Sequence, residues 1–344
     1  MKIAFTKSTL LLVALLLQSV GIIAAPIAVT NNTRTVIDFN RDWRFSKGDF
    51  TSGMMPGFED SGWRLLHLPH DWSIEEPRQP DLASATGFAP GGIGWYRKNF
   101  RVDQSLRGKL IAVEFDGVYN HAQVWMNGQL VGGRPYGYSS FECDLTPFLK
   151  HGDNNVLAVR VDHTKYADSR WYTGSGIYRN VRLRITNPLR IAPNGVFVST
   201  PEASAESATV RIETTVLNNS TSASPSVLVS DVLNRSGAVI GSFTNEISAG
   251  RTNQVLVQSI KVPRPQLWSV DSPNLYSLRT RIVSGDTTRD ETETTFGIRT
   301  IRFDANTGFY LNGVSMKLKG VCLHHEAGSV GAAVPIKVWE RRLR

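Results

Sequence analysis

Cysteine is almost missing. The 344 residues hold only Cys143 and Cys322, which excludes a disulfide-stapled scaffold, and the two fall in parts of the chain that read as different domains, so no bridge is expected. Apolar runs long enough to span a bilayer are also lacking after residue 25, and no HExxH helix motif of a metalloprotease occurs. Basic clusters are scarce despite a net charge of +8, from 38 Lys and Arg against 30 Asp and Glu. The arginines are dispersed, and in "YRNVRLRIT" Arg182 and Arg184 alternate with Val181, Leu183 and Ile185, the pattern of the outward face of a half-buried strand. A nucleic-acid partner is therefore not expected. Long stretches of helical periodicity are absent from residues 35 to 195, which excludes a helical bundle there.

What is present is globular: 41% hydrophobic and 20% charged residues, in a chain long enough for two or three domains. The first 25 residues, "MKIAFTKSTLLLVALLLQSVGIIAA", differ in kind. Two lysines and no acid precede an apolar run from Leu10 to Leu17, and small residues follow at Ala24 and Ala25. This is the layout of a secretory signal, cut next to Ala24 because Pro26 is a poor residue after a cut at Ala25. A membrane anchor is disfavoured, since the run is short against the ~20 residues that cross a bilayer. The reading is an exported protein, periplasmic or extracellular, with no membrane partner after cleavage.

From about residue 35 to 195 the apolar runs are short and alternate. "KLIAVEF" places Ile111, Val113 and Phe115 on one face, and "NNVLAVRV" does the same with Leu157, Val159 and Val161. Asn127-Gly128 in "VWMNGQLVG" marks a tight hairpin. These patterns predict an antiparallel sandwich. A second set, "ATVRIETTVLN", "SPSVLVSDVLN", "NQVLVQSIKV", "NLYSLRTRIV" and "DETETTFGIR", predicts an immunoglobulin-like sandwich over residues 196 to 298, with Trp268 and Tyr276 as core or corner aromatics. After Arg299 a hairpin is expected at Asn312-Gly313. A hydrophobic strand "MKLKGVCL", a loop "GSVGAAVP" and a helix start "IKVWERRLR" follow, the opening of a βα unit. Such a strand needs neighbours on both sides and is an aggregation site if left unpaired.

The ordered segments "FNRDWRF", "LPHDWSIE", "GWYRKNF", "FDGVYNHAQVWMNGQLVG", "SRWYTGSGIYRNVRL", "LWSVDSPNLYSL", "TTFGIRTIRFD" and "LKGVCLHHEAGSVGAAVP" carry a resemblance. Together they are similar to secreted enzymes of glycoside hydrolase family 2, β-galactosidase type. The resemblance implies a mainly β chain: a jelly-roll sugar-binding domain at 26–195, an immunoglobulin-like β-sandwich at 196–298, and the first strand and helix start of a (β/α)8 barrel at 299–344. A barrel of this kind needs ~250 residues and about 40 are here, so the sequence looks like the amino-terminal part of a longer enzyme.

Retaining glycoside hydrolysis uses two carboxylates about 5 to 5.5 Å apart. By resemblance both are glutamates beyond residue 344, so the chain is expected to hold no catalytic residue and to be inactive alone. The substrate implied is a terminal β-galactoside, with β-mannoside or β-glucuronide as alternatives. Mg2+ or Na+ belongs to the longer enzyme rather than to this chain.

Several residues are candidates for sugar contact. The resemblance puts His324 at the position of a barrel histidine that bonds sugar hydroxyls, with His325 packing or orienting the loop. Glu326 has no second carboxylate placed beside it. In "YADSRWYTGSGIY", Asp168, Arg170 and Trp171 combine a carboxylate, a cation and a ring able to stack on a pyranose; by resemblance an aspartate of this loop reaches the sugar, and Asp168 is the nearest match, with Arg170 as a structural alternative that pairs with a carboxylate between domains. His70 and Asp71 of "LPHDW" could line the same pocket from below, but the preferred reading is structural, with Asp71 accepting backbone N–H bonds and Trp72 filling the core. Trp63, Trp95, Tyr96 and Trp125 read as core. Two other classes stay open: a non-catalytic secreted carbohydrate-binding protein, and a cell-surface interaction protein built on the second sandwich.

Overall fold

A computed structural model describes residues 26–344 apart from 29–32, 166–167, 220–223, 249 and 251–252. The expected export signal therefore lies outside the described residues. Alternation turns into two antiparallel sheets in the first sandwich. Six strands run in the order Arg64–Leu66, Trp43–Lys47, Gly92–Arg101, Asn154–His163, Ala122–Met126 and Gln129–Arg134, and four in the order Thr35–Asp38, Val181–Thr186, Leu110–Phe115 and Phe141–Asp144. Ile111, Val113 and Phe115 of the small sheet pack with Leu157, Val159 and Val161 of the large one, all fully buried. Trp43 is also fully buried, and its indole Nε1 donates to Phe39 O at 2.8 Å, so the ring fills the core without leaving its one donor unpaired.

Arg182 and Arg184 do point away from this core, but they are not free in solvent. Arg182 forms a fork with Asp116 at 2.6 and 2.7 Å, and Arg184 bridges Glu114 and Glu142. Asn127 and Gly128 both take positive φ, 50° and 87°, the geometry that a two-residue hairpin demands. Cys143 is buried and Cys322 exposed, and both are free thiols.

The second sandwich has a three-stranded sheet, Leu189–Ala203, Ser207–Asn218 and Gln254–Pro263, facing a four-stranded one ordered Val239–Ile247, Ser226–Leu233, Tyr276–Ser284 and Thr287–Phe296. The strand Leu189–Ala203 runs across residue 195, with a register shift between Ile191 and Val196. Tyr276 is buried and its hydroxyl accepts from Gln266 N at 2.8 Å, while Trp268 is half-buried. At the seam between the sandwiches, Asp290 is fully buried. It accepts from Arg34 Nε (3.1 Å) and Nη2 (2.7 Å), from Ile191 N (2.7 Å) and from Glu291 N (3.0 Å).

The final segment matches expectation only in part. A hairpin turns at Asn312-Gly313, both at positive φ, and the helix forms as Ile336–Leu343. Residues 316–323 form no strand, contrary to the expected "MKLKGVCL", and Leu318, Val321 and Leu323 are exposed. The reason is the one that makes a barrel strand dependent: its backbone groups need parallel neighbours, and no described strand pairs with it. Beyond it the chain returns to the first sandwich, where Ala332 packs with Tyr119 and Tyr178.

Candidate functional site

Three segments converge at one end of the first sandwich: the loop at 116–121, the loop at 168–178, and residues 324–332. Asp71 lies beneath them, 2% exposed. Its Oδ1 accepts from Ser73 N (3.0 Å) and Ser175 N (2.9 Å), and its Oδ2 accepts from Tyr172 Oη (2.6 Å) and Ala332 N (2.8 Å). A carboxylate with four donors has no capacity left for a ligand. Gly331 has φ 59°, and a Cβ there would collide with Asp71 Oδ2, so the last segment can approach the carboxylate only because this residue is glycine.

His70 is equally interior. Its Nδ1 lies 2.7 Å from Tyr96 Oη, its Nε2 lies 2.8 Å from Arg64 Nη2 and 3.1 Å from Glu75 Oε1, and its ring meets Phe45 edge-on. Burial pushes its pKa down, against the pull of Glu75. Trp72 is 1% exposed. The structure thus buries His70, Asp71 and Trp72 in the framework beneath these loops. Trp95 and Tyr96 are core, Trp125 is buried at their edge, and Trp63 is partly buried against that cluster.

Above this framework lies a chain of polar and aromatic groups. Asp168 Oδ2 accepts from Tyr119 Oη at 2.9 Å and from Asn120 Nδ2 at 3.1 Å. Tyr119 meets Tyr138 edge-on with ring centres 5.2 Å apart, Trp171 Nε1 donates to Tyr138 Oη at 2.8 Å, and Trp171 meets His324 edge-on at 5.8 Å. Burial and the Asp168 charge together raise the Tyr119 phenol far above its ordinary value, so it remains a donor. Trp171 is 38% exposed and His324 is exposed. Half-buried aromatic faces next to a carboxylate with an uncommitted oxygen can hold a sugar ring, by stacking on its apolar face and by accepting from its hydroxyls.

Arg170 is exposed and forms no ion pair with a described carboxylate, so the interdomain pairing considered for it is not formed. His325 Nε2 donates to Thr173 O at 3.0 Å and its ring contacts Tyr138 and Tyr178, an orienting role for the 172–175 loop. Glu326 accepts from Gly328 N at 2.8 Å. Among the described residues no three His, Cys, Asp or Glu side chains converge as a metal-holding group. No described helix is long and apolar enough to cross a membrane.

Tyr119, Asn120, Tyr138 and His163 were not among the expected site residues. His163 had a signal: it continues the inward series Leu157, Val159, Val161 in phase, a titratable group on a core face. Tyr119 and Asn120 lie in "FDGVYNHAQVW" as polar residues between two apolar strands.

Two antiparallel sandwiches in series, the first with an aromatic and carboxylate surface at one end, define a modular β protein. Residues 74–188 match the family model described as glycosyl hydrolases family 2, sugar binding domain, and residues 190–299 match the one described as glycosyl hydrolases family 2. The chain belongs to glycosyl hydrolases family 2. Over 311 residues it is 44% identical to beta-galactosidase BoGH2A of Bacteroides ovatus, covering 89% of this chain and 36% of that protein. It is 39% identical over 306 residues to a putative beta-glucuronidase of Formosa agariphila, covering 88% of this chain and 29% of that one. A crystal structure of a family 2 member from Bacteroides cellulosilyticus superposes with a TM-score of 0.83 at 38% identity, over 90% of this chain and 41% of that chain. The chain thus spans about a third of the length of the curated relatives it matches.

Proposed function

We propose that the chain is the substrate-positioning, amino-terminal portion of an exported retaining glycoside hydrolase acting on terminal β-galactosides. The observation that carries this reading is the continuous row from Asp168 through Tyr119, Tyr138 and Trp171 to His324, which joins the first sandwich to the segment that follows the second. In this role Trp171 stacks on the sugar, Asp168 and His324 bond its hydroxyls, and Asp71 with His325 holds the two supporting loops. Arg170, next to Trp171 in sequence, is exposed.

The chemistry itself requires two carboxylates about 5 to 5.5 Å apart. At this end of the molecule Asp71 is saturated with donors and Glu326 accepts from a backbone amide. The acid/base and nucleophile are therefore assigned to sequence outside this chain, within the part of the relatives' length that it does not span. A galactoside is favoured by the 44% identical beta-galactosidase; a glucuronide is the second reading, favoured by the 39% identical putative beta-glucuronidase. In this reading the chain supplies binding groups and the rest of the enzyme supplies the catalytic pair; a non-catalytic carbohydrate-binding protein is the alternative.

The test is to read the genomic frame through codon 344 and assay its product on nitrophenyl β-D-galactoside, β-D-mannoside and β-D-glucuronide. Cleavage of the galactoside supports the reading, and cleavage of only the glucuronide moves it to the alternative. A stop at Arg344 with no hydrolysis would overturn the enzyme and leave the binding protein.

A further inference from the structure

His163 is 3% exposed, and its Nε2 is buried with no hydrogen-bond partner among the described residues. The tautomer of this imidazole follows from its neighbours. Pro90 O can only accept, so the 2.7 Å bond from Ser73 Oγ uses the Ser73 hydroxyl hydrogen. Ser73 Oγ must then accept across its 2.6 Å contact with Ser175 Oγ, which uses the Ser175 hydrogen. Ser175 Oγ in turn must accept across its 2.7 Å contact with His163 Nδ1. The proton is on Nδ1, and Nε2 of the neutral ring carries a bare lone pair. That lone pair lies 3.8 Å from Asp168 Oδ2, itself an acceptor already holding Tyr119 and Asn120. Two acceptors face each other across a gap too long for a direct bond.

We propose that His163 is the positioning residue for Asp168, leaving the carboxylate in its ligand-facing place while Nε2 is bare and drawing it inward as an ion pair when Nε2 takes a proton. The inference rests on the reading of Asp168 as a sugar contact. On protonation, a bond forms from Nε2–H to Asp168 Oδ2, and the inward pull moves the carboxylate, with its uncommitted oxygen, away from a ligand hydroxyl. The charged and titratable groups around the ring are Asp168 and Tyr119 from the facing loops, Asp71 through Ser175, and His121 at the far side of the 119–121 segment. Burial lowers the histidine pKa and Asp168 opposes it, so the ring is neutral at neutral pH and gains its proton in acid.

The test is imidazole 15N spectroscopy of the whole chain between about pH 7.5 and about pH 5, together with titration by methyl β-D-galactoside. At the upper pH, His163 is expected to show a protonated Nδ1 and an unprotonated Nε2. In D168N, Nε2 should take its proton at a lower pH than in the parent, because the Asp168 charge no longer favours the imidazolium. Sugar affinity should fall severalfold on acidification in the parent and stay level in H163N, whose amide can still donate to Ser175 but has nothing in the place of Nε2. A protonated Nε2 at neutral pH, or a midpoint unmoved in D168N, would overturn the proposal, as would an equal acid loss in H163N. If the parent binds no galactoside at either pH, the sugar-contact reading of Asp168 fails. The nitrogen shifts and their dependence on Asp168 still decide the link between the two side chains.

Discussion

Asp71 concentrates more structure than any contact residue around it. Changing it to Asn keeps the volume but replaces one acceptor with an NH2 that faces the Ala332 amide, a donor against a donor. D71N is expected to lose about 3 kcal/mol of unfolding free energy in urea melts, with Trp171→Ala leaving stability nearly unchanged and weakening only sugar binding. The histidines add a pH dependence. His70, His163 and His325 all have pKa values lowered by burial below the ordinary 6.5. In the window between those lowered values and 6.5 the unfolded chain binds more protons than the folded one, so stability rises with pH there. The stability these neutral rings supply is complete above pH 6.5 and is lost as pH falls through their folded values. Melts over about pH 8 to 5 should show this loss, with a smaller slope in H325Q. These side chains also show what a sequence conceals. Asp71 could be read as a backbone acceptor from "LPHDW" because a short polar residue before an aromatic often pins a turn. Its partner Ala332, 261 positions away, leaves no local mark.

At the scale of elements, the legible features were those with a short-range cause. Asn127-Gly128 and Asn312-Gly313 turn where positive φ is demanded, and "KLIAVEF" and "NNVLAVRV" pack as their alternation requires. His163 was overlooked because attention to alternation stops at the last apolar residue of a strand. "MKLKGVCL" failed for the complementary reason: its hydrophobic pattern is that of a strand, but pairing is a property of neighbours, and none of the described strands supplies one. With Leu318, Val321 and Leu323 exposed, this stretch should drive self-association of the isolated chain. Replacing Leu318 and Val321 by Lys is expected to reduce aggregation in light scattering without lowering the melting temperature. Unchanged aggregation would locate the sticky surface elsewhere, the exposed Phe197, Val255 and Val257 of the second sandwich being the next place to look.

For the whole molecule, the order of two sandwiches and a following segment was readable from the spacing of strand patterns, whereas the way they hold together was not. Residues 34, 191 and 290 meet at one buried carboxylate although each lies in an unremarkable stretch of sequence. D290N leaves Arg34 without its counter-charge and should cost about 3 to 5 kcal/mol, since the loss of one partner strands the other in a desiccated seam. Calorimetry of the parent is expected to show one heat-absorption peak, and of D290N two, the second sandwich melting apart from the first.

That knot has a mechanical side. Arg34 stands at the entrance of the first sandwich and Asp290 in the last strand of the second, so a pull applied to the two ends of the described chain would load this ion pair once the Ile27 and Ala332 contacts have yielded, before either sandwich core is sheared. The contact then behaves as a fuse: in single-molecule stretching the parent should resist with a small early force peak that D290N lacks, while the later peaks from the two β-sandwiches remain.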